Sequence, residues 1–563
     1  MAEEVWMLQT KKADFKQIGA RFRIDPVTAR IIRNRGIEGE AAIDRYLNGT
    51  LDDLYDPMLL KDMERAVSIL CEAVDTGKKI RIVGDYDIDG VCSTYILLQA
   101  FERLGSDVDF EIPDRIKDGY GINESIIEQA HADGVEVILT CDNGISAFHQ
   151  VELAKKYGMT VVITDHHEVP LDGEKEKIPP ADAVIDPKQA DCPYPFPEIC
   201  GAVVAYKLVQ VLYARRGVPR MEWLDLLEFA AIATVGDVMK LQDENRILVK
   251  YGLKKMAQTK NLGLRRLAEK NNLDLGAITA YHIGFVIGPC LNAGGRLKTA
   301  KEALALLRAQ SEEEAERLAE ELKELNDTRK DMTEQGTEAA KLQVESWYQK
   351  DKVLVVFLPE CHESLAGIIA GRLREYYQKP AIVLTRGEES VKGSGRSIDE
   401  YHMFKKLTEV SDLLLKFGGH PLAAGLSLEE KNIDEFRRRL NENAGLTEED
   451  FKAKVWIDVP MPVGYVTERL VRELSCLEPF GQGNEKPLFA EKSLRIRASR
   501  VLGRNRNVVK MTLEETDGHA IEALYFGDGT AFEEERAGRR EIDVVYYPDI
   551  NEYNGRKTLQ ALI

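Results

Sequence analysis

From residue 79 onward, short apolar runs rich in β-branched residues alternate with amphipathic stretches. The runs "KIRIVGDYDIDG", "VDFEIPDR", "VEVILTCDNG", "TVVITDHH" and "DAVIDP" each end on a polar stop. Helical spacing separates several of them, as in "ISAFHQVELAKKYG". Strands alternating with helices predict an α/β unit with a parallel sheet. Residues 201–260 read as helices, including "EWLDLLEFAAIATVGDV". A charged helical stretch follows from 301 to about 348. In it Ser311 and Glu314 have capping-box spacing, and Ala315, Leu318, Leu322 and Leu325 form an apolar stripe. It reads as a connecting helix packed on a neighbour. A second, smaller α/β pattern starts at 352 with "DKVLVVFLP", "SLAGIIAGRLREYY" and "PAIVL" and ends near 450. After "VWIDVP" come short strand-like runs with turn residues and no long helix, the pattern of a small β-barrel. Residues 1–50 hold a short helical pattern.

Length changes this picture little: 563 residues exceed one hydrophobic core and suggest two to four domains. The 44% hydrophobic and 30% charged composition is that of a soluble globular protein. No apolar run approaches the roughly 20 residues that span a bilayer, so no membrane partner is expected. "MAEEVWMLQTKK" lacks the basic-then-apolar order of a secretion signal. The eight cysteines are scattered without a CxxC, which argues against a zinc knuckle or a disulfide framework and fits a reducing cytoplasm. A net charge of −19 excludes a chain coated uniformly by nucleic acid. It leaves open nucleic acid held in one groove, because local charge sets local potential. "LRIRASRVLGRNRNVVK" is basic within this acidic chain, and reads equally as a solvated strand face.

The acids collect at strand ends, the edge where open α/β sheets bind ligands. Asp85, Asp87 and Asp89 alternate directly after a strand, and alternate side chains of extended chain share a face. Crowded carboxylates repel unless a cation neutralises them. An EF-hand is excluded: no Glu stands at the twelfth loop position, and a strand precedes the run. Alone, the run reads equally as a turn of solvated aspartates. Asp142 in "TCDNG" is equally a turn former, and Asp237 in "VGD" a helix-terminal residue. Asp165, His166 and His167 add imidazoles at a third strand end. Together these groups offer oxygens with some nitrogen, which suits Mn2+ or Mg2+ better than structural zinc. Several acids in one site suggest two ions. Ions roughly 3.5–4 Å apart can activate water and stabilise both oxygens of a phosphoester displacement. No P-loop is present, so ATP is not indicated.

"DYDIDG", "CDNG", "TDHH" and "VGD", in that order, resemble the four motifs of the DHH phosphoesterase superfamily. "FGGHPLAAG" resembles the glycine-rich element of its DHHA1 domain. "NAGGRL" and "PFGQGNEKPLF" point to the RecJ branch, the single-stranded-DNA-specific 5′→3′ exonucleases. The resemblance covers nearly the whole chain. It implies an N-terminal helical segment (1–50), a parallel-sheet DHH domain (51–260), a helical linker (261–350), a smaller α/β DHHA1 domain (351–450) and a C-terminal OB-fold β-barrel (455–563).

The resemblance also assigns roles. Asp85, Asp87, Asp89, Asp142, His166 and Asp237 match metal-ligand positions. Asp142 would bridge two ions, with Asp89, His166 and Asp237 on one and Asp87 with Asp85 on the other. Relatives carry a histidine four residues before the position of Asp87. Here that position is Val83, and Asp85 is the substitute. His167 would contact the scissile phosphate, and Asp165 would orient a histidine. Arg115, Ser394 and Arg396 would bind a 5′-terminal phosphate, since bidentate arginine suits a phosphate dianion. Tyr120 would stack a base. Arg296 and His420 would contact backbone phosphates. In the barrel, Arg495 and Arg497 share a strand face, Arg504 and Arg506 fall in the next turn, and Tyr525 and Phe526 are candidate stackers.

The implied function is two-metal hydrolysis of single-stranded DNA from the 5′ end, releasing 5′-mononucleotides in DNA repair and recombination. The implied partners are single-stranded DNA, a single-stranded-DNA-binding protein and a helicase, with the chain itself a monomer. Two alternatives stand beside this. One is a DHH phosphodiesterase acting on short oligonucleotides or cyclic dinucleotides, whose members generally lack the barrel. The other is an inactive DNA-binding scaffold, which predicts eroded metal motifs that this chain does not have.

Overall fold

The computed structural model describes residues 4–553 and 555–563. Two compact units emerge. The first comprises Tyr55–Met239 and Tyr251–Ala453; the second comprises Val5–Leu54, Lys240–Lys250 and the described residues of Lys454–Ile563.

The first unit opens with strands β1 (Ile80–Val83), β2 (Val108–Glu111), β3 (Val137–Cys141), β4 (Thr160–Thr164) and β5 (Ala183–Ile185). All pair in parallel, in the order β2-β1-β3-β4-β5. Strands β1, β3 and β5 are buried throughout, as strands covered by helices on both faces must be. Helices α1 (Ile88–Arg103), α2 (Gly201–Arg216) and α3 (Leu227–Gly236) are buried along most of their lengths. The strand order reverses direction between β1 and β3. That reversal opens a crevice at the carboxyl ends of these two strands, where the DYDIDG and CDNG loops begin.

Helix α4 (Gly288–Leu297) and the long helix α5 (Glu312–Gln343) lead onward. Ser311 caps α5 by accepting from Glu314 N–H at 3.2 Å. The return bond of the expected capping box lands one residue earlier: Glu314 accepts from Gln310 N–H, at 3.0 Å. Ala315, Leu318 and Leu322 are buried as the stripe predicts. A second sheet follows, of β6 (Leu354–Phe357), β7 (Ala381–Arg386), β8 (Val391–Arg396), β9 (Leu414–His420) and β10 (Ala423–Leu428), in the order β9-β10-β8-β7-β6. Only β6 and β7 run parallel. Helix α6 (Glu363–Tyr377) packs on β7 and β8.

Buried within the first unit, Glu228 on α3 accepts from Thr259 Oγ1 at 2.7 Å, while its Oε2 has no partner. Burial, offset in part by Thr259 and Lys255, pushes its carboxyl up to about 7. A raised folded-state value gives stability that is complete below the unfolded value near 4.5 and is lost as pH climbs through 7. Glu228→Gln is therefore expected to stabilise the protein at pH 8 by on the order of 1–3 kcal/mol and to change little at about pH 4.5. Thermal unfolding at the two pH values checks this, and equal melting shifts at both contradict it.

The second unit holds the barrel strands β11 (Phe489–Leu502), β12 (Val508–Glu514), β13 (Ala520–Phe526), β14 (Glu541–Tyr553) and β15 (Arg556–Leu562). Pairing runs β11-β12-β13-β15-β14, and β14 pairs back onto β11, so the ring closes. Strands β11 and β14 are long, at 14 and 13 residues, because successive halves of each pair with different neighbours: 489–495 with β14 and 495–502 with β12, and 541–546 with β11 and 547–553 with β15. The sequence pattern predicts shorter ones. Residues 5–54 contribute a strand, Glu4–Leu8, which the helical reading of 1–50 missed, and three helices. Ile31, Ile32 and Tyr46 from these helices share one core with Phe489, Val509, Met511 and Tyr546. The "PFGQGNEKPLF" segment is a turn here, anchored by the buried Asn484. Asn484 donates to the carbonyls of Leu477 and Pro479, each at 2.8 Å. Among the described residues, no helix is long and apolar enough to cross a membrane.

Candidate metal centre

The four motif loops meet at the β1/β3 crevice. Asp87 caps α1: its Oδ1 accepts from Asp89 N–H at 2.9 Å and Gly90 N–H at 3.1 Å, which leaves Oδ2 free. Gly90 is required because a Cβ there would lie 2.3 Å from the Asp85 carbonyl oxygen. Asp85, 2% exposed, accepts from Gly121 N–H at 3.2 Å. Asp89 is fully buried and accepts from Gly201 and Ala202 N–H, both at 2.7 Å. These are the first-turn donors of α2, whose own cap residue, Cys200, supplies no side-chain bond. Asp89 thus fills the orphan donors of a helix more than a hundred residues away.

Asp142 ends β3 in the left-handed region, at φ 61°, a conformation aspartate tolerates. Gly201 faces it, and a Cβ there would come within 2.7 Å of Asp142 Cβ. Asn143 fixes this turn through bonds to the carbonyls of Val83 and Cys141, both at 3.0 Å. His166 Nε2 lies 3.1 Å from Asp142 Oδ1, 3.4 Å from Asp89 Oδ2 and 3.8 Å from Asp237 Oδ2. Asp237 follows the last turn of α3. Val83 is buried in the core beside Ile138 and Ile163, away from any ligand role.

Three sets of ligand atoms each lie within 4.8 Å of one another: Asp85, Asp87 and Asp142; Asp89, His166 and Asp237; and Asp142, His166 and His167. Asp142 belongs to two of the sets. Burial, and then neighbouring carboxylates, pushes Asp85 and Asp237 up to about 8 and raises Asp142 far above the usual range. Burial and nearby Asp87 also raise Asp89, against the pull of His166. Asp142 Oδ1 is buried and receives no hydrogen bond. Carboxylates crowded this way call for a cation, and oxygen donors with one or two imidazoles suit Mn2+ or Mg2+. The residues present fit such ions.

The two histidines differ. Burial and the neighbouring His167 charge lower His166, which favours the neutral imidazole that can ligate. Burial opposes the His167 charge too, but the Asp165 hydrogen bond and the Asp165, Asp237 and Asp89 carboxylates lift it to about 9. Asp165 Oδ1 is 2.8 Å from His167 Nδ1, so the histidine it orients is His167. It also accepts from Ile145 N–H at 2.9 Å and His166 N–H at 2.8 Å.

A cationic group adjoins the acids. Arg115 lies 4.7 Å over the Tyr86 ring, and Arg296 Nη1 donates to the Ser364 carbonyl at 2.9 Å. Arg396 Nη1 donates to Ser394 Oγ at 3.3 Å. Burial, then repulsion from Arg115, Arg329 and Arg396, pulls Arg296 down to about 10. Burial, then Arg374 and Arg115, lowers Arg396. Among the described residues no carboxylate forms an ion pair with Arg115, Arg296 or Arg396. Such an arrangement calls for an anion.

Other expected positions divide. Tyr120 is half exposed, but its hydroxyl donates to the Asp142 carbonyl at 2.8 Å and lies 3.1 Å from His167 Nδ1. It therefore braces the acid cluster, beyond the stacking role expected of it. His420 is exposed at the end of β9, and its Nδ1 accepts from Leu422 N–H at 3.3 Å. Arg495 and Arg497 are both exposed on β11. A β-bulge between Ile496 and Ala498 displaces Arg497 from strict alternation, and Arg497 pairs with Glu514. Tyr525 packs into the barrel core against Phe532, whereas Phe526 is exposed. The residues the sequence reading missed are Gly201 and Ala202, Asn143, Gly121 and Arg329. An uncapped start to a 16-residue helix was the one available signal for the first pair.

Comparison with known proteins gives a consistent set of matches. The DHH family N-terminal domain matches residues 79–234, the DHHA1 domain 350–445 and the RecJ OB domain 457–563. The single-stranded-DNA-specific exonuclease RecJ of Bacillus subtilis (strain 168) is 36% identical over 563 residues, covering 99% of this chain and 70% of that protein. Its Escherichia coli (strain K12) counterpart is 34% identical over 563 residues, covering 96% of this chain and 95% of that one. The crystal structure of RecJ in complex with Mn2+ from Thermus thermophilus superposes with a TM-score of 0.84 at 29% identity. The match covers 99% of this chain and 78% of that one.

Proposed function

The chain belongs to the RecJ family of single-stranded-DNA-specific exonucleases, and on that premise we propose that its β1/β3 crevice is the catalytic centre. The protein hydrolyses phosphodiester bonds of single-stranded DNA from the 5′ end and releases 5′-mononucleotides, a chemistry of DNA repair and recombination. The observation that carries this reading is the sharing of Asp142 between ligand sets at the switch point of the sheet. A pair of divalent cations, Mn2+ or Mg2+, supplies water activation and charge neutralisation at the phosphorus.

The chain's own residues hold and aim the linkage. Asp85, Asp87 and Asp142 would hold one ion and Asp89, His166 and Asp237 the other, with Asp142, 3.1 Å from His166 Nε2, standing between the two sets. His167, kept charged by Asp165, faces the scissile phosphate. Arg115, Ser394 and Arg396 take the 5′-terminal phosphate, and Arg296 and His420 the adjoining backbone. The Arg296–Ser364 bond joins the two halves of the first unit, and a cleft between these halves would admit one strand and not a duplex.

The test is release of labelled mononucleotide from 5′-labelled single-stranded DNA with Mn2+, compared with duplex and with chelated metal. Release from the single strand alone is expected. Faster turnover of dinucleotides than of long strands would instead favour the short-oligonucleotide reading.

The barrel supplies sequence-tolerant binding through its exposed cations. Arg495→Ala is expected to weaken single-strand binding alike across sequences and to reduce the slope of log K against log salt by about 0.7. Arg497→Ala should change the slope less, since Glu514 already neutralises it. Titrations over a salt series decide, and equal slopes for both variants count against the assignment. A single-stranded-DNA-binding protein and a helicase are the protein partners this family membership suggests, with the chain working as a monomer in the cytoplasm.

A further inference from the structure

Two large aromatic side chains stand in solvent on the helical rod that leads into α4. Tyr281 is 63% exposed and Phe285 67% exposed. Their rings stack on each other at 4.7 Å with an interplanar angle of 28°. They sit on one helical rod: Ala280–His282, a π-helical turn at Ile283–Ile287, then α4. π-turns inside α-helices are rare and recur at functional sites. Here Phe285 lies within the wider turn and Tyr281 in the short helix just before it.

Small residues place this rod against the metal ligands. A Cβ on Gly284 would lie 3.7 Å from Val235 Cγ1, two residues before Asp237. A Cβ on Gly288 would lie 3.3 Å from Ile88 Cδ1, and one on Gly236 would lie 2.6 Å from Ile88 Cγ2. Ile88 stands between Asp87 and Asp89, so the rod and the end of α3 converge on the residue that separates two ligands. Near the other end of the rod, a Cβ on Gly295 would lie 2.3 Å from the Tyr86 carbonyl oxygen, and Arg296 follows in the cationic group. The rod thus packs against the residues next to Asp237, Asp87 and Asp89, and its far end carries Arg296.

Val238, directly after Asp237, is 66% exposed with φ 57°, a strained backbone for a β-branched residue. Strain held at the edge of a site is a mark of function rather than of folding need. Exposed aromatic faces that continue a nucleic-acid path serve as stacking surfaces, because every base has a π-face.

We propose that Tyr281 and Phe285 form a stacking platform on which one nucleobase of the bound strand rests near the cleavage point, setting the register of the backbone at the metal centre. The proposal rests on the nuclease reading above. It is specific to base stacking: a strand whose sugar and phosphates are intact but whose base is missing at the stacked position should lose the contact.

The experiment uses the full chain with Mn2+ and 5′-phosphorylated strands carrying one abasic nucleotide at successive positions from the 5′ end. Single-turnover rates for the wild type should drop about tenfold when the abasic nucleotide occupies one particular position, and little at the others. The double variant Tyr281→Ala/Phe285→Ala should cleave the ordinary strand about tenfold more slowly and show no position dependence. Phe285→Leu, which keeps apolar bulk without a π-face, should behave like the alanine variant, and Phe285→Trp should restore the wild-type pattern. Both positions are solvent-exposed, so these variants keep the fold, and unchanged thermal melting verifies it. A wild type that cleaves every abasic strand at one rate, or a double-alanine variant that keeps the position dependence, overturns the platform alone. A wild type that cleaves none of the strands overturns the nuclease reading itself.

Discussion

Asp142→Asn is expected to reduce cleavage by about 10³-fold or more, beyond the roughly 10–100-fold that loss of an outer partner costs a metal site. The reason is its membership of two ligand sets at once. Removing Asp87 or Asp237 impairs one set, whereas removing Asp142 impairs two. The same substitution should leave the metal-free protein more heat-stable than the wild type. Asp142 is 2% exposed, its Oδ1 receives no hydrogen bond, and Asp89, Asp87, Asp85 and Asp237 all press on its charge. Asparagine keeps the shape and removes one of the crowded charges. Saturating Mn2+ should then reverse the order. Ligand binding stabilises by mass action, about 2.7 kcal/mol at 100 times Kd, and the variant forgoes that gain. Rate assays and melting curves with and without metal check both halves. A variant that retains activity, or that melts below the wild type without metal, goes against the assignment.

Arg396→Ala should abolish the preference for a 5′-phosphorylated over a 5′-hydroxyl strand, a change of about 10–100-fold for one charged hydrogen-bonding group. Arg396 is held in place by Ser394 and its own strand, and it shares a cluster with Arg115 and Arg296 in which, among the described residues, no carboxylate forms an ion pair and only Asp87 offsets the repulsion on Arg296. Repulsion among these arginines is relieved by a phosphate dianion, so the ligand completes the cluster. Arg115→Ala should do the same in part, because its guanidinium is also supported by the Tyr86 ring. The hydroxyl strand is the control: its rate should fall far less in either variant. Equal losses on both strands would point to a general defect in place of a terminal-phosphate site.

Much of this was legible in the sequence because two periodicities were clean. Strands β1, β3 and β4 are short apolar runs that stop on acids, and the parallel sheet places those stops on one edge. The metal candidates Asp85, Asp87, Asp89, Asp142, His166 and Asp237 do come together there. What stayed hidden is non-local or irregular. The caps that Asp89 gives to Gly201 and Ala202 join residues 112 and 113 positions apart, which local spacing does not encode. The bulge at Arg497 inserts a residue into a ladder that reads as simple alternation, and its charge is taken by a cross-strand Glu514. Asn484, in the "PFGQGNEKPLF" stretch that pointed to the RecJ branch, proves to be the buried polar anchor of a turn. The distinction between the two adjacent histidines rests on Asp165 reaching the ring of His167 but only the backbone N–H of His166, a matter of side-chain direction after the strand ends.

The most direct test is anomalous diffraction from a crystal soaked with Mn2+ and a short 5′-phosphorylated strand. Two peaks roughly 3.5–4 Å apart are expected, with Asp142 touching both. One should have Asp85 and Asp87 as its other protein ligands, and the other Asp89, His166 and Asp237. A single peak, or ions bound away from these six side chains, would contradict the account.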